Sequence, residues 1–260
     1  MMNMKPLTNT PQKSGTQPTG WEQPFDKLRR KWGTVPTLDN RVETKNLLNM
    51  PDDKLLAWWY ENREQGITGE NFNVRGWYHL LYKEILRGKQ IVDVGCGLGI
   101  DGITFAQNGA SVTFVDIVES NLALVSRICN LLKISQVDFF YLKDINALAK
   151  LRMYDVIWCQ GSIHNAPFEV MRIEAMELLK HLKIGGRWIQ LAYPKSRWER
   201  DGKLSFEKWG EKTDGEGTPW CEWYDLEKLL RLLQPARFHP VLNFNFHNDD
   251  FNWFDLVREG

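Results

Sequence analysis

Apolar residues recur with two different periods along the chain, and the change of period divides it. Between residues 21 and 88 the spacing is helical, most clearly in the segments 52–62 and 77–86, and we predict no strand before residue 90. Residues 1–20 are rich in Thr, Pro, Gln, Asn and Gly and have almost no large apolar side chain. We therefore predict a flexible tail at 1–20 and a helical extension at 21–88 that acts as a lid.

From residue 89 onward, short apolar runs alternate with helical segments. This alternation predicts βαβ units, and hence a doubly wound, mostly parallel sheet with helices on both faces. Two aromatic segments joined by four polar residues predict an antiparallel C-terminal hairpin, which completes a seven-stranded sheet. The predicted strands are 90–94, 111–115, 136–142, 154–159, 187–192, 238–246 and 252–258, and the predicted helices are 100–107, 120–132, 145–151, 168–182 and 225–233. We interpret Gly185-Gly186 as the stop of the helix at 168–182.

A long connection follows the fifth predicted strand. Residues 194–224 are too many for a plain link to the last helix, and they are rich in large aromatic side chains. Connections of this length in a compact domain are often functional. We predict a Rossmann-like domain at 89–260 with an aromatic insert at 194–224.

Composition narrows the possible partners. The 260 residues include 33 basic and 33 acidic side chains, and this balance argues against nucleic acid, whose binding rests on neutralised phosphates. The four cysteines show no CxxC spacing, so neither a metal site nor a disulfide framework is predicted, and free thiols suit the cytoplasm. Without a signal-like N-terminus or an apolar run near 18 residues, we expect no membrane partner.

The strongest local motif runs from Val92 to Asp101. An acid, Asp93, lies inside a predicted strand, and the glycines at 95, 97 and 99 follow it before a helix begins. The position of Asp93 suits a cofactor-binding role in which its carboxylate accepts hydrogen bonds from a ligand ammonium. Such a turn lets a ligand approach the backbone and places free helix N–H groups beside it. The spacing GxGxG departs from the GxGxxG of dinucleotide enzymes, which disfavours an NAD oxidoreductase.

Two further acids follow predicted strands. Asp116 ends the second strand about 20 residues beyond the glycines, where a carboxylate accepts two ribose hydroxyls. Ile117 beside it is expected to pack on an adenine face. After the third strand, Asp144 is expected to meet the adenine amino group, with the Ile145 backbone alongside.

These motifs, in this order and with the closing antiparallel pair, resemble the class I methyltransferase family over residues ~74–258. The resemblance implies S-adenosylmethionine as cofactor, lying over Gly95, Cys96 and Gly97, with Asp116 on its ribose. At the fourth strand it implies that Gln160 and Gly161 contact the cofactor; the alternative for Gln160 is that it caps the strand. Arg75 is expected to hold the methionine carboxylate, with an acidic substrate or a surface ion pair as the alternatives.

The acceptor is expected beside the fourth and fifth strands. His164 is the predicted general base by residue type and position, or else it hydrogen-bonds the loop or the acceptor. Tyr193, at the end of the fifth strand, is predicted to face the crevice and take part in catalysis. Predicted acceptor contacts are Asn165, Trp59 and Trp198; the alternative for the aromatic residues of the insert is a small satellite core.

The resulting hypothesis is an enzyme that transfers a methyl group from S-adenosylmethionine to an O or N atom of a small-molecule acceptor. Two alternatives stay open. The first is a cyclase or lyase that consumes the same cofactor and releases methylthioadenosine. The second is a non-catalytic module that binds the cofactor.

Overall fold

The computed structural model describes residues 22–36 and 41–260, so the predicted tail at 1–20 lies outside the described residues. Nine strands form within these ranges. In chain order they are β1 (Thr34–Pro36), β2 (Arg41–Glu43), β3 (Gln90–Val94), β4 (Ser111–Asp116), β5 (Val137–Tyr141), β6 (Tyr154–Gln160), β7 (Leu182–Ala192), β8 (Phe238–Phe246) and β9 (Phe251–Arg258).

Seven of these strands form one sheet in the order β5-β4-β3-β6-β7-β9-β8. The first five are parallel, whereas β9 runs antiparallel to both β7 and β8. The central strand β3 is buried along almost its whole length, as expected for a parallel strand covered on both faces. The predicted fold class is confirmed.

Helices cover both faces of the sheet. One apolar core joins the sheet to α1, α7 and α10, and a second core joins it to α3, α4, α5 and α6. In chain order the helices are α1 (Glu22–Trp32), α2 (Thr44–Leu47), α3 (Asp52–Ile67), α4 (Gly76–Ile85), α5 (Ile100–Gln107), α6 (Glu119–Leu131), α7 (Phe168–Leu179), α8 (Lys195–Arg200), α9 (Phe206–Asp214) and α10 (Leu226–Leu233), with 3₁₀ turns at Gly69–Asn73 and Ile145–Lys150.

Two predictions of local structure were wrong. The short antiparallel pair β1–β2 lies before residue 90, where we expected no strand. The helix predicted to reach residue 182 ends at Leu179, and Gly185-Gly186, interpreted as its stop, lies inside β7. Strand β7 starts early because Leu182 already pairs with Tyr154, and the register then shifts before Arg187 pairs with Val156.

The segment 194–224 holds α8, α9 and a small aromatic core of its own around Trp209. The C-terminal part of this segment is hydrogen-bonded to helix α1. The Lys31 ammonium donates hydrogen bonds to the carbonyl oxygens of Gly215 at 3.2 Å and Glu216 at 2.7 Å. The insert and α1 therefore hold each other on the same side of the molecule.

None of the helices within residues 22–36 and 41–260 combines the length and apolarity needed to cross a bilayer.

Candidate functional site

A cavity of about 750 Å³ lies where β3, β4 and β6 end. Ligands of open α/β sheets bind at this carboxyl edge. Helix α1, the segment 62–75 and α7 supply the remaining walls. Among the residues predicted from sequence, those on the cavity wall are Arg75, Asp93, Gly95, Cys96, Gly97, Asp116, Ile117, Gln160, Gly161 and Asn165.

The glycine turn forms the floor of this cavity. Gly95 and Gly97 have φ values of 74° and 52°, in the left-handed region that side chains disfavour. A Cβ on Gly95 would lie 2.6 Å from the Cβ of Ser162, so a side chain there is excluded. A Cβ on Gly97 would meet no described atom within 4 Å, so the space above this backbone is open to a ligand.

Asp116 ends β4 with its carboxylate held by three N–H donors and, at 3.8 Å, by the Cys96 thiol. The backbone N–H of Val118 donates at 2.8 Å, that of Gly97 at 3.2 Å, and the side-chain amide of Asn121 at 3.2 Å. Burial raises the pKa of Asp116 to about 6, against the lowering effect of these hydrogen bonds. The group is therefore ionised at neutral pH and faces the cavity, as acceptance of ribose hydroxyls requires.

A second acidic side chain, that of Asp101, lies in the first turn of α5, directly after the glycine turn. The Asp101 carboxylate accepts hydrogen bonds from His79 Nε2 at 2.6 Å and Trp158 Nε1 at 3.0 Å, and Arg75 Nε lies 3.8 Å away. Burial opposes ionisation of Asp101, but Arg75, His79 and Trp158 outweigh it and lower the pKa to about 2. Arg75 is thus anchored at the cavity wall by Asp101.

This anchoring predicts an acid-labile contribution to stability. The folded pKa of about 2 lies below the ordinary 3.8, so the contribution is complete above pH 4 and is lost as pH falls towards 2. We expect Asp101→Asn to lower the free energy of unfolding by about 2 kcal/mol at pH 7. Urea unfolding at pH 7 and pH 3 measures the difference, with the exposed Asp138→Asn as control. An equal difference at both pH values would contradict the assignment.

Asp93 lies beside this group on β3. Burial raises the pKa of its carboxyl well above the ordinary value, and the nearby acids Asp101 and Asp116 raise it further. The backbone N–H of Gly102 donates a hydrogen bond to it. Asp93 therefore lies at the base of the turn in surroundings that favour the protonated carboxyl, and a bound cation would favour the ionised form.

The Gln160 side chain, at the end of β6, supplies an independent sign of a ligand. Both its amide nitrogen and its amide oxygen are buried and have no hydrogen-bond partner within residues 22–36 and 41–260. Buried amides are normally satisfied, so an unpaired one on a cavity wall indicates a polar ligand. Donor and acceptor together match an amino acid's ammonium and carboxylate.

His164 and Tyr193 form a buried group next to the cavity and are not on its wall. Their rings stack with centroids 5.0 Å apart, and the Tyr193 hydroxyl donates to Asp214 at 2.6 Å. Burial lowers the pKa of His164 against the opposing effect of Asp214, so the imidazole is neutral at pH 7. Asn165 connects this group to the wall, because its amide donates to the same Asp214 carboxylate at 3.3 Å.

This group also brings together potential metal ligands. One ligand atom each of His164, Asp214 and Cys221 lie within 4.8 Å of one another. Both carboxylate oxygens of Asp214 already accept hydrogen bonds from Tyr193 and Asn165. We interpret the arrangement as a hydrogen-bonded support for the loop after β6.

Four other predicted residues lie away from the cavity wall. Asp144 is exposed and caps the following 3₁₀ turn through the Ala147 N–H at 3.2 Å, and Ile145 packs partly against the core. Trp59 is fully buried, and its indole N–H donates to the Leu98 carbonyl at 3.0 Å, which fixes the turn from behind. Trp198 belongs to the small core of the insert. Their ligand contacts stay predictions.

The sequence interpretation missed Glu174 of α7, which is on the cavity wall and only 6% exposed. Its signal is the helical period: Met171, Ala175 and Leu178 are the buried positions of α7, and Glu174 lies on the same face. A carboxylate among apolar positions marks a special environment. Asn62 on α3 was missed in the same way.

Comparison with known proteins agrees with this geometry. Residues 91–186 match the family model of a methyltransferase domain. A ubiquinone biosynthesis O-methyltransferase of Rickettsia typhi is 32% identical over 137 residues, which are 50% of this chain and 52% of the relative. The chain thus spans about half the length of the curated relatives it matches.

Solved structures extend the fold similarity to nearly the whole chain. The magnesium protoporphyrin IX methyltransferase from Synechocystis, with bound S-adenosylhomocysteine, has a TM-score of 0.54 at 20% identity, covering 92% of this chain and 96% of that one. The geranyl diphosphate C-methyltransferase from Streptomyces coelicolor, in complex with Mg²⁺, geranyl diphosphate and S-adenosylhomocysteine, has a TM-score of 0.59 at 13% identity, covering 95% and 99%. At these identities the likeness concerns the fold.

Proposed function

We propose that this chain, whose residues 91–186 match a methyltransferase domain, transfers a methyl group from S-adenosylmethionine to an O or N atom of a small-molecule acceptor. The observation that carries the proposal is the cavity itself. It places the open glycine turn, the Asp116 carboxylate and the unpaired Gln160 amide on one wall. The open glycine turn leaves room for that cofactor to lie over the backbone. The Asp116 carboxylate matches its ribose hydroxyls, and the Gln160 amide matches its amino-acid end.

The cofactor fits the residues present. Asp116 would hold the ribose hydroxyls, Ile117 the adenine face, and Gln160 and Arg75 the amino-acid end. S-adenosylmethionine supplies an electrophilic methyl carbon on a sulfonium. About 750 Å³ is also within the range of pockets that enclose a ligand of drug size or larger, so space remains for an acceptor.

The chain's own contribution to methyl transfer is positioning and exclusion of water. Apolar side chains of α1, Phe25, Leu28 and Trp32, cover the cavity opposite the glycine turn. The neutral His164 imidazole lies behind Gly161, where a Cβ would come within 3.9 Å of its Cε1. Its Nδ1 is buried without a partner in the described ranges and is suited to receive an acceptor proton.

Product analysis tests the proposal. Purified protein is incubated with S-adenosylmethionine labelled in the methyl group and with pools of phenols and amines, and the nucleoside product is identified by mass spectrometry. S-adenosylhomocysteine together with a labelled acceptor is the expected result. Methylthioadenosine would indicate the cyclase or lyase instead, and binding without turnover in any pool would favour the non-catalytic module.

Replacement of His164 separates chemistry from binding. We expect His164→Gln to lower kcat by about 100-fold or more, the usual contribution of general acid–base catalysis. The affinity for S-adenosylhomocysteine should stay unchanged, because the imidazole lies outside the cavity wall. His239→Gln, on the exposed strand β8, is the matched control. An unchanged kcat in the His164 variant would refute the role as base.

The proposed setting is the cytoplasm, with a small-molecule acceptor and neither nucleic acid nor a membrane as partner. Four free cysteines, three of them buried, support a reducing environment. The balanced charge of the chain supports a small acceptor over a polyanion.

A further inference from the structure

The Glu174 carboxyl is buried without a partner. It is 6% exposed and lies on the cavity wall, and no residue of 22–36 or 41–260 donates a hydrogen bond to it or pairs with it. Burial alone raises the pKa of this carboxyl to about 7. Such a group lowers stability, because removing a carboxyl from water without replacing its hydrogen bonds is unfavourable.

Within residues 22–36 and 41–260, no charged side chain offsets the burial of Glu174. The titratable side chain with which it interacts is Cys159 of β6, and burial raises the pKa of that thiol well above its ordinary value. Cys159 is therefore uncharged, and its Sγ–H is directed to the Ile189 carbonyl at 3.4 Å. Since no side chain of the described ranges donates to Glu174, we expect its hydrogen-bond donor to be a ligand in the cavity.

The other side chains that line the cavity with Glu174 indicate what kind of molecule carries such a donor. Phe25 and Leu28 of α1, Met171 of α7 and Leu142 after β5 line the same cavity and belong to one apolar core. An apolar body fits among these side chains, and its one polar need is met by the carboxyl. Pockets that recognise small molecules combine apolar walls with a few placed polar groups in this way.

The position of Glu174 separates it from the groups assigned to the cofactor. Those groups lie on the turn after β3, at the end of β4 and at the end of β6. Glu174 lies two turns into α7, an element that supplies none of those groups. It is therefore available to the second ligand of a transfer reaction.

We propose that Glu174 is the acceptor-recognition residue, and that the acceptor presents an O–H or N–H donor to it on an otherwise apolar body. The identification of this ligand as a methyl acceptor rests on the proposed function. The donor recognition itself rests on Glu174 and the cavity. A hydroxyl or a protonated amine satisfies the carboxylate, whereas an isostere without a donor leaves it buried and unpaired.

Glu174→Gln tests whether the carboxyl is unpaired in the free protein. At pH 8, above its pKa, the substitution removes a buried charge, and we expect the melting temperature to rise by about 2–4 °C. Glu169→Gln, exposed on the same helix, is the control and should leave it unchanged. A lower melting temperature for Glu174→Gln would mean that the carboxyl has a partner in the protein, and would overturn the proposal.

Matched probes test recognition of the donor. Calorimetry on protein saturated with S-adenosylhomocysteine compares benzylamine with ethylbenzene and phenol with toluene, pairs that differ mainly in the donor. Wild type and Glu169→Gln should bind the donor of each pair at least about tenfold more tightly, because a site built for a donor rejects its isostere. In Glu174→Gln the ratio should fall to near one; a ratio equal to that of wild type overturns the proposal.

The nucleoside titration keeps the two proposals apart. If S-adenosylhomocysteine fails to bind wild type, the proposed function fails, while the probe ratios still report on Glu174 in the protein alone. If Glu174→Gln weakens S-adenosylhomocysteine by tenfold or more and leaves the probe ratios unchanged, the donor belongs to the nucleoside, and the acceptor assignment is overturned.

Discussion

Asp116→Ala is expected to weaken binding of S-adenosylhomocysteine by about 100-fold at pH 7.5. Hydrogen bonds to a charged group contribute about 1.5–3 kcal/mol each, and loss of two ribose contacts therefore exceeds a tenfold change even at the lower bound. Because the carboxylate also holds the N–H groups of Gly97 and Val118, the turn itself loses a support. Calorimetric titration measures the dissociation constant directly.

The pH dependence sharpens this test. With a pKa of about 6, Asp116 is mostly protonated at pH 5 and mostly ionised at pH 7, so affinity of the wild type should fall about tenfold between pH 7 and pH 5. Asp116→Asn should lose that slope, and Asp138→Ala, an exposed acid on the next strand, should keep both affinity and slope. A wild-type slope that survives in Asp116→Asn would assign the titration to another group.

Trp253→Ala is expected to be the most destabilising single change, with a loss of about 3–5 kcal/mol in the free energy of unfolding. Trp253 is fully buried on β9, and its ring lies 4.7 Å from that of Tyr78 and 5.6 Å from that of Trp158. Its indole N–H donates to the Tyr82 hydroxyl at 3.1 Å. The substitution leaves a cavity at the contact between α4 and the sheet.

Urea unfolding followed by circular dichroism measures this loss. Leu80→Ala, on the exposed side of the same helix α4, is the control and should change stability by less than about 0.5 kcal/mol. If Trp253→Ala does not fold, Trp253→Phe retains most of the ring contacts and should show a smaller loss. A change below about 1 kcal/mol in a folded Trp253→Ala would mean that the aromatic cluster does not support the sheet.

Periodicity predicted the sheet well because the strands β3, β4 and β6 are buried on both faces and have the sequence of short apolar runs. It failed where pairing partners decide the structure. Nothing local shows that Leu182 pairs with Tyr154, and so Gly185-Gly186 was interpreted as the end of a helix. Strands β1 and β2 have three residues each, too few for a period to emerge.

The site divides in the same way. Gly95 and Gly97 were predictable because one continuous motif fixes their backbone, and Asp116 was predictable because it ends the neighbouring strand. Glu174 was not, because its place on the cavity wall depends on how α7 packs against the sheet, where Cys159 of β6 is its neighbour. The positions of Trp59 and His164 behind the wall likewise depend on packing between distant segments.

The cavity wall is assembled from pieces far apart in sequence, and this limits what a smaller fragment retains. A fragment cut to the matched span 91–186 would keep the glycine turn and Asp116, yet it would lack Phe25, Leu28, Asn62 and Arg75. Without these lining side chains, the proposed nucleoside site of the fragment would be more open to solvent. Under the proposed function, the choice of acceptor therefore depends partly on the N-terminal segment 22–75, and we expect exchange of that segment for a relative's to change it.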